Sequence, residues 1–363
     1  MARSDSATSM VLSDVGELRP REFDVPDVDD GGMLLDVEMT SVCGTDIGIY
    51  TGESYHNTFP LVFGHEVVGC IADGDPETLN RVGVEVGDRI IPEPYIPCYE
   101  CHYCQTGNYH MCDEGRCYGV TISADVPPHL WGGYGEYMYL DPNTRAHPVP
   151  DGVPAEAACL GTVVGNGVRW ILTKGDVDPQ EDIVIVGPGA QGLASVIVAD
   201  EAGADRLVLA GLSSDDQRLR LGESFGATDV IHVDEGDPVE EIATLTDGDG
   251  PEVVVVTAPS SKALQLAVDV VAPLGKIVLP GIMGTETELD TDRLVHDEIQ
   301  LLGGRGQAHN VERAMAILER RADDVAAINT HTFPVWEAET AIERQLPGDE
   351  FDHEIIHAAL HPE

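Results

Sequence analysis

A glycine loop between an apolar run and a helical pattern is the sequence feature that most constrains this fold. Residues 183–186 are four consecutive β-branched apolar residues, and residues 187–192 read Gly-Pro-Gly-Ala-Gln-Gly. Apolar residues then recur at helical spacing from Leu193 onward. This is the G-x-G-x-x-G fingerprint between a buried strand and a helix, the context in which the motif indicates dinucleotide binding.

The residues of this loop have separate expected roles. We expect Gly187 to make the tight turn, Gly189 to admit the pyrophosphate, and Gly192 to let the helix approach the strand. Pro188 and Ala190 complete the predicted coenzyme-binding loop. The N-terminus of the following helix is expected to face the phosphates, because its free N–H groups and dipole favour an anion.

Strands and helices continue to alternate after the loop. The predicted strands span 207–210, 229–233, 253–257, 276–280 and 299–303, and the predicted helices span 214–225 and 261–271. Such alternation is typical of parallel strands joined by right-handed helical crossovers. Residues 165–304 are therefore predicted to form a doubly wound parallel sheet, which makes the protein α/β.

The first half of the chain has a different pattern. Apolar and polar residues alternate over 33–39, which is typical of a half-buried strand, and no helix is expected before residue 140. The aromatic, glycine-rich stretch 131–140 either lines a cleft or forms an ordinary core strand. Residues 305–363 contain one amphipathic helix and are expected to return to this mainly β half.

Four cysteines lie within fifteen residues, and their spacing is C-x2-C-x2-C-x7-C. They are Cys98, Cys101, Cys104 and Cys112. Four thiolates close a tetrahedral site of the structural zinc type. An iron–sulfur cluster would more often have a shorter final gap followed by proline, and disulfides do not suit an intracellular chain. The spacing therefore predicts a structural zinc lobe.

A second candidate metal site lies earlier in the chain. Cys43 and His65 offer a thiolate and an imidazole, which zinc favours. Asp46 could orient the imidazole through its other N–H, and the Thr45 hydroxyl could move a proton. Taken one at a time, a lone cysteine and a lone histidine are more often a buried thiol and a satisfied core side chain.

The chain is very acidic. Twenty Lys and Arg against 65 Asp and Glu give a formal net charge of −45, and only three of the cations are lysine. Such a surface repels itself until salt screens it, and at 1 M salt the Debye length is about 3 Å. We therefore expect a salt-rich cytosol, and no nucleic acid or anionic membrane as partner. Neither a signal peptide nor a transmembrane run is visible, and cysteines at metal spacing favour a reducing, cytoplasmic compartment.

These pieces, in this order, resemble the zinc-containing medium-chain alcohol dehydrogenases. The motifs that carry the resemblance are C-G-T-D at 43–46, G-H-E at 64–66, G-D-R at 87–89, the four-cysteine lobe, the glycine loop and T-H-T-F-P at 330–334. The resemblance implies a GroES-like, mainly β catalytic domain over 1–164 with the zinc lobe at 93–117, a Rossmann coenzyme domain over 165–304, and a return of 305–363 to the catalytic domain. It also implies a cleft between the two domains.

The resemblance assigns roles to the site of Cys43 and His65. By position, Cys43 and His65 would bind a catalytic zinc, and Thr45 would relay the proton. Asp46 would orient the zinc-bound histidine. Glu66 would lie behind the metal, and in some relatives this residue becomes a ligand.

Two departures concern that site. The third protein ligand of the family, a cysteine or glutamate, is expected near positions 161 and 162, which are Gly161 and Thr162 here. Glu66, or else Cys159 or Glu156, would have to substitute. The histidine that often ends the proton relay is Gly48 in this chain.

A third departure concerns the coenzyme. An acid normally ends the second Rossmann strand and binds the adenosine ribose, and here that residue is Gly211. Ser213, Ser214 and Arg218 follow and can donate to a phosphate, although aspartates stand beside them. We therefore predict that NADP is accepted and modestly preferred. The alternative is that both coenzymes bind and neither the serines nor Arg218 takes part.

The predicted function is zinc-dependent, NAD(P)-linked hydride transfer between an alcohol or polyol carbon and nicotinamide. A zinc-free NADPH reductase on the same scaffold is the first alternative, because the expected third ligand is missing. A non-catalytic nucleotide-binding protein is the second. The resemblance further implies a small-molecule alcohol or ketone substrate and a homodimer or homotetramer, but it does not identify the substrate.

Overall fold

The computed structural model describes residues 5–28, 31–346 and 354–362. The chain divides into two compact units. The first unit contains Met1–Thr162 and Leu318–Glu363, and the second contains Val163–Ile317. Residues 347–353, which belong to the predicted C-terminal return, lie outside the described residues.

The strands of the described residues are β1 Ser6–Leu12, β2 Leu18–Asp24, β3 Met33–Ser41, β4 Leu61–Val62, β5 Val67–Gly74, β6 Arg89–Pro92, β7 Tyr137–Leu140, β8 Ala146–Pro148, β9 Ile183–Val186, β10 Leu207–Gly211, β11 Asp229–His232, β12 Val253–Val256, β13 Lys276–Leu279, β14 Gln300–Gly303, β15 His331–Pro334 and β16 Ala358–His361.

The α-helices of the same residues are α1 Gly44–Tyr50, α2 Pro76–Val82, α3 His102–Gln105, α4 Ala155–Ala158, α5 Gly161–Val168, α6 Ala190–Ala202, α7 Asp216–Ser224, α8 Pro238–Leu245, α9 Ser261–Val270, α10 Thr291–His296, α11 Val311–Ile328 and α12 Ala338–Glu343. A π-helical segment, Arg169–Lys174, continues α5. Short 3₁₀ turns cover Tyr109–Met111, Ser213–Asp215 and Val335–Glu337. None of the helices described is both long enough and apolar enough to cross a bilayer.

The described residues of the first unit form two sheets. One has the order β2-β1-β4, and the other has the order β15-β16-β3-β5-β6-β8, with β7 also paired to β3. The alternation predicted for β3 is confirmed, because Met33, Leu35 and Val37 are buried while Asp36 and Glu38 face solvent. The C-terminal strand β16 pairs with the end of β3 and so lies beside the segment that leads to Cys43.

The expectation of no helix before residue 140 is wrong. Helix α2 begins at the cap Asp75, whose carboxylate accepts a hydrogen bond from the Thr78 N–H at 2.8 Å. Pro76 occupies its first turn, and Gly83 ends it with a φ of 83°. These are ordinary helix start and stop signals, but seven residues are too few to show a helical apolar period. Helix α1 is equally short and contains two glycines, which lower its helix propensity.

The second unit confirms the predicted doubly wound sheet. Its six strands are all parallel and have the order β11-β10-β9-β12-β13-β14, which is the 3-2-1-4-5-6 order of a dinucleotide-binding fold. The central strands β9 and β12 are buried along their whole length because helices cover both faces. Helix α8 was not predicted, although Asp237 caps it and Pro238 begins it.

Candidate active site and metal centres

The site predicted around Cys43 and His65 is formed by residues that two neighbouring loops bring together. Cys43 precedes α1, and His65 and Glu66 lie between β4 and β5. The ligand atoms of these three residues all lie within 4.8 Å of one another. A sulfur, an imidazole nitrogen and a carboxylate oxygen are the donor types that zinc prefers, so the three side chains fit a single zinc ion.

Asp46 connects this cluster to its surroundings. Its side chain is fully buried, and Oδ2 accepts hydrogen bonds from the Cys43 N–H at 3.0 Å and from the Tyr134 hydroxyl at 3.2 Å. Its Oδ1 lies 3.4 Å from Nδ1 of His65. This contact favours the proton on Nδ1 and leaves Nε2 as the ligand atom of His65.

Glu66 is also fixed in place. It is 3% exposed, and its Oε2 accepts a hydrogen bond from the Ser41 hydroxyl at 2.5 Å. The same oxygen lies 3.6 Å from Nε2 of His357. The Nδ1 of His357 lies 2.7 Å from Oδ1 of Asn329, so the C-terminal part of the chain supports the carboxylate. Sequence reasoning did not identify these three supporting residues.

The charges of the cluster favour a bound cation. Burial raises the pKa of the Cys43 thiol, and the nearby Glu66 carboxylate raises it further. Burial alone would lower the pKa of His65, but Asp46 and Cys43 outweigh it and raise the pKa well above its usual value. The carboxylates of Asp46 and Glu66 and the Cys43 thiol are therefore gathered around the His65 imidazole. A divalent cation would compensate this excess of negative charge and stabilise the thiolate.

The other proposed substitutes for the third ligand lie elsewhere. Cys159 is fully buried, and its Sγ accepts a hydrogen bond from the Asn329 amide at 3.3 Å. Burial raises the pKa of this thiol well above its usual value, so Cys159 resembles a core thiol. Within the described part of the chain, neither Cys159 nor Glu156 joins the cluster, which leaves Glu66 as the substitute that the geometry favours.

The loop around His65 is packed on a glycine-rich backbone. Gly64 has a φ of 97°, and a Cβ on it would lie 2.8 Å from the Gly133 nitrogen. Glycine at this position therefore lets the His65 loop lie close to the neighbouring backbone. Trp131 and Tyr134 are 3% and 0% exposed and so belong to the core, and only Tyr137–Leu140 of the aromatic stretch form a strand. The stretch supports the site from behind.

Thr45 lies in the first turn of α1 and is half-buried. Its hydroxyl oxygen is 3.8 Å from the Sγ of Cys43. The hydroxyl is therefore beside the proposed metal ligand, where a proton relay would need it. Its role remains a prediction.

The four-cysteine lobe has the geometry of a closed zinc site. The Sγ atoms of Cys98, Cys101, Cys104 and Cys112 lie within 4.8 Å of one another. The Cys98 and Cys104 sulfurs are 3.9 Å apart, and tetrahedral coordination at a Zn–S distance of about 2.3 Å requires about 3.8 Å. Hydrogen bonds from the backbone of Asp113 and of Cys104 lower the pKa of Cys101 to about 6, whereas burial raises the pKa of Cys104 to about 12 and also raises that of Cys112. A bound cation would be needed to hold all four as thiolates.

A buried ion network connects this lobe to the rest of the first unit. The Glu93 carboxylate accepts hydrogen bonds from the Tyr109 hydroxyl at 2.5 Å and from Nε of Arg145 at 3.2 Å, and it lies 2.8 Å from Nε2 of His147. Tyr109 belongs to the 3₁₀ turn that leads directly to Cys112. Glu93 therefore positions the segment that carries the last ligand of the lobe.

The glycine loop of the second unit has the geometry that its predicted roles require. Gly187 has a φ of 113°, and a Cβ on Gly192 would lie 1.9 Å from the Gly187 carbonyl oxygen. The Cα of Gly189 faces open space, since a Cβ there would meet only the Arg218 guanidinium, at 3.9 Å. This opening at the N-terminus of α6 can accommodate a pyrophosphate.

The remaining predicted coenzyme residues lie at the end of β10. Gly211 is its last residue, and Ser213 and Ser214 are exposed in the turn that follows. Nε of Arg218, on α7, is 3.9 Å from the Asp215 carboxylate. The Ser213 hydroxyl donates to Asp234, an acid that sequence reasoning did not place here.

Comparison with known proteins agrees with both units. Residues 29–151 match the alcohol dehydrogenase GroES-like domain, and residues 190–320 match the zinc-binding dehydrogenase family. A probable alcohol dehydrogenase of Mycobacterium tuberculosis is 35% identical over 86% of this chain and 87% of its own length. L-Threonine 3-dehydrogenase of Pyrococcus abyssi is 32% identical over 76% of this chain and 75% of its own.

Solved structures show the same fold. A zinc-binding dehydrogenase candidate of Sinorhizobium meliloti, bound to NADP, superposes with a TM-score of 0.87 over 99% of this chain and 100% of its own, at 23% identity. A GroES-like unit with a Rossmann-type unit defines the class as a two-domain dehydrogenase. The chain belongs to the zinc-binding, medium-chain alcohol dehydrogenase family. The predicted family, fold class, NAD(P)-dependent oxidoreductase class and cofactors, zinc and NAD(P), are thereby confirmed.

Proposed function

We propose that the protein is a zinc-dependent, NAD(P)-linked dehydrogenase that interconverts an alcohol or polyol and its carbonyl product. The observation that carries the proposal is the convergence of Cys43, His65 and Glu66 within 4.8 Å in a chain that lacks the usual third ligand. Zinc bound there would polarise the substrate oxygen, and NAD(P) would accept or return the hydride.

The protein's own side chains prepare this site. Asp46 is placed to orient His65, because its Oδ1 lies 3.4 Å from Nδ1 and its charge favours a proton there. Ser41 and His357 hold one oxygen of Glu66, so the carboxylate does not have to be ordered when the metal binds. The Thr45 hydroxyl, beside Cys43, is the group that would take the alcohol proton and pass it outward.

The substrate class follows from the relatives alone. Matched proteins are named a probable alcohol dehydrogenase, an L-threonine 3-dehydrogenase and an erythritol/L-threitol dehydrogenase, names that all refer to hydroxyl compounds. We extend that class to this chain as a proposal. The zinc-free reductase remains the competing function, because Thr162 stands near the position where a third ligand is usual.

We also propose that the enzyme works in a salt-rich cytosol as a homodimer or homotetramer. The net charge of −45 supports the first part. Strand β14 supports the second, because it is an edge of the parallel sheet and its Leu301 is 39% exposed. A catalytic domain over 1–164, a coenzyme domain over 165–304 and the return of 305–363 stay part of this proposal.

The test is coenzyme reduction over a panel of primary alcohols, secondary alcohols, polyols and L-threonine in high salt. We expect turnover with at least one class, loss on treatment with a chelator, and recovery with added zinc. Cys43→Ala should abolish turnover. Cys70→Ala is the matched control, because Cys70 is a half-buried thiol of β5 that joins neither metal cluster among the described residues. Full turnover by chelated, zinc-free protein would establish the competing reductase instead.

A further inference from the structure

A side chain at the end of β10, where an acid usually binds the adenosine ribose, would crowd the glycine loop. A Cβ on Gly211 would lie 2.8 Å from Cγ of Pro188 and 3.2 Å from Cδ2 of Leu219. Pro188 belongs to the glycine loop itself, so a larger residue at 211 would displace the loop that has to receive the pyrophosphate. Glycine at this position therefore also serves the packing of the glycine loop against β10.

A carboxylate reaches the same place from the neighbouring strand. β11 runs parallel to β10, with His232 opposite Gly211, and Asp234 follows β11 by two residues. Asp234 accepts two hydrogen bonds from one residue of the β10 turn, from the Ser213 N–H at 2.7 Å and from the Ser213 hydroxyl at 2.7 Å. Both bonds favour the ionised carboxylate and lower its pKa below its usual value.

We propose that Asp234 supplies the missing ribose-binding acid and makes the enzyme prefer NAD to NADP, an inference that rests on the proposed coenzyme-dependent function. A carboxylate at the end of the second strand accepts hydrogen bonds from the ribose hydroxyls and repels a 2′-phosphate. The Ser213 donors that could have bound such a phosphate are directed to Asp234 instead. The contact between Ser213 and Asp234 therefore favours NAD, whereas the sequence alone predicted a modest preference for NADP.

The cation at this corner does not cancel the effect. Nε of Arg218 lies 3.9 Å from the Asp215 carboxylate, so its charge already faces an acid. Burial lowers the pKa of Arg218 from its usual value, which reflects the cost of holding this charge away from water. A 2′-phosphate at the turn after β10 would therefore meet the carboxylates of Asp215 and Asp234 as well as the Arg218 guanidinium.

The experiment compares coenzyme binding by calorimetry, so that it does not depend on turnover. Wild type, Asp234→Asn and Glu235→Gln are titrated with NAD⁺ and NADP⁺, and with the fragments 5′-AMP and 2′,5′-ADP. Asn keeps the shape of Asp234 and one acceptor for Ser213. Glu235→Gln removes the same charge from the next residue, which has no hydrogen bond to Ser213 among those described.

We expect the wild type to bind NAD⁺ at least about tenfold more tightly than NADP⁺, a difference of about 1.4 kcal/mol. Asp234→Asn should reduce the ratio to within about threefold by strengthening NADP⁺ binding, and Glu235→Gln should leave it within about twofold of wild type. The fragments should show the same order.

Two results would overturn the assignment. One is a wild type that binds NADP⁺ as tightly as NAD⁺ or more tightly. The other is an Asp234→Asn variant that changes both affinities by the same factor, which is the signature of a purely structural role. If neither coenzyme binds, the inference and the proposed function fail together. If the predicted preference is found but no alcohol is turned over, the proposed function fails alone.

Discussion

Replacing Glu93 by glutamine should destabilise the first unit and its zinc lobe. Glu93 is fully buried, and its carboxylate has three partners, Tyr109, Arg145 and His147. Glutamine has nearly the same shape as glutamate but carries no charge. Its amide N–H₂ would face groups that donate hydrogen bonds to Glu93. The change therefore tests the buried charge and leaves the packing almost unaltered.

The magnitude follows from how completely the network is buried. Removing one partner of a buried ion pair costs about 3–5 kcal/mol, because the remaining charge is left uncompensated. The Arg145 and His147 side chains are 32% and 15% exposed, so water can solvate them in part. We therefore expect a loss at the lower end, about 3 kcal/mol, or a fall of about 6–12 °C in the melting temperature of a unit of this size.

The stability lost on Glu93→Gln should become smaller in acid. Burial raises the pKa of Glu93, but the hydrogen bond and charge of His147, with Tyr109 and Arg145, outweigh it, and the net pKa lies below its usual value. A group of this kind contributes stability above its unfolded pKa, about 4.3 for glutamate, and loses it as the pH falls through the lower folded value. The difference between wild type and Glu93→Gln should therefore shrink as the pH falls below about 5.

The assay is denaturant and thermal unfolding in high salt, with zinc release from the lobe followed by a chromophoric chelator. Glu38→Gln is the matched control, since Glu38 also binds an arginine, Arg89, at 2.5 Å but is 40% exposed. A surface pair of this kind contributes about 0–1 kcal/mol. If Glu93→Gln costs no more than Glu38→Gln, or if zinc release is unchanged, the reasoning from the buried network is refuted.

Three further predictions concern salt, the coenzyme loop and the lobe. Because the net charge of −45 makes the surface repel itself, melting temperature and activity should both fall sharply when molar KCl is replaced by about 0.1 M. At that concentration the Debye length is about 10 Å, so more of the repulsion is left unscreened. Equal values in both salts would contradict this. Gly192→Ala should weaken coenzyme binding more than about tenfold, since its Cβ would lie 1.9 Å from the Gly187 oxygen, whereas Gly303→Ala, with open space around it, should not. Cys104→Ala should lower the free energy of unfolding more than it lowers turnover per folded molecule. A variant that keeps its stability but loses turnover would exclude a structural role for the lobe.

Local sequence patterns predicted much of this structure because the relevant contacts are short-range. The strand, glycine loop and helix around Gly187–Gly192 are contiguous, and the four cysteines of the lobe lie within fifteen residues. The same is true of Cys43 and Asp46, whose hydrogen bond spans three residues. The short helices α1, α2 and α8 were missed, because their caps were present but their length gave no readable period.

Contacts between distant residues could not be predicted in this way. Ser41 was within reach, since it precedes Cys43 by two positions, but His357 contacts Glu66 from the opposite end of the chain. The contact depends on β16 pairing with β3, which no local pattern indicates. Asp234 was missed for the same reason, because only the parallel pairing of β10 and β11 brings it to Ser213.

The central claim is that Glu66 replaces the missing third ligand of a catalytic zinc, and zinc content measured with turnover tests it most directly. Wild type, Glu66→Ala and Glu156→Ala are desalted and analysed for metal, the last variant as control because Glu156 was the alternative ligand outside the cluster. The two metal clusters predict about two zinc ions per chain in wild type and in Glu156→Ala, both active. Glu66→Ala should retain about one and lose turnover. A wild type with about one zinc and full activity, or a Glu66→Ala variant that keeps two zinc ions and turns over normally, would contradict the claim.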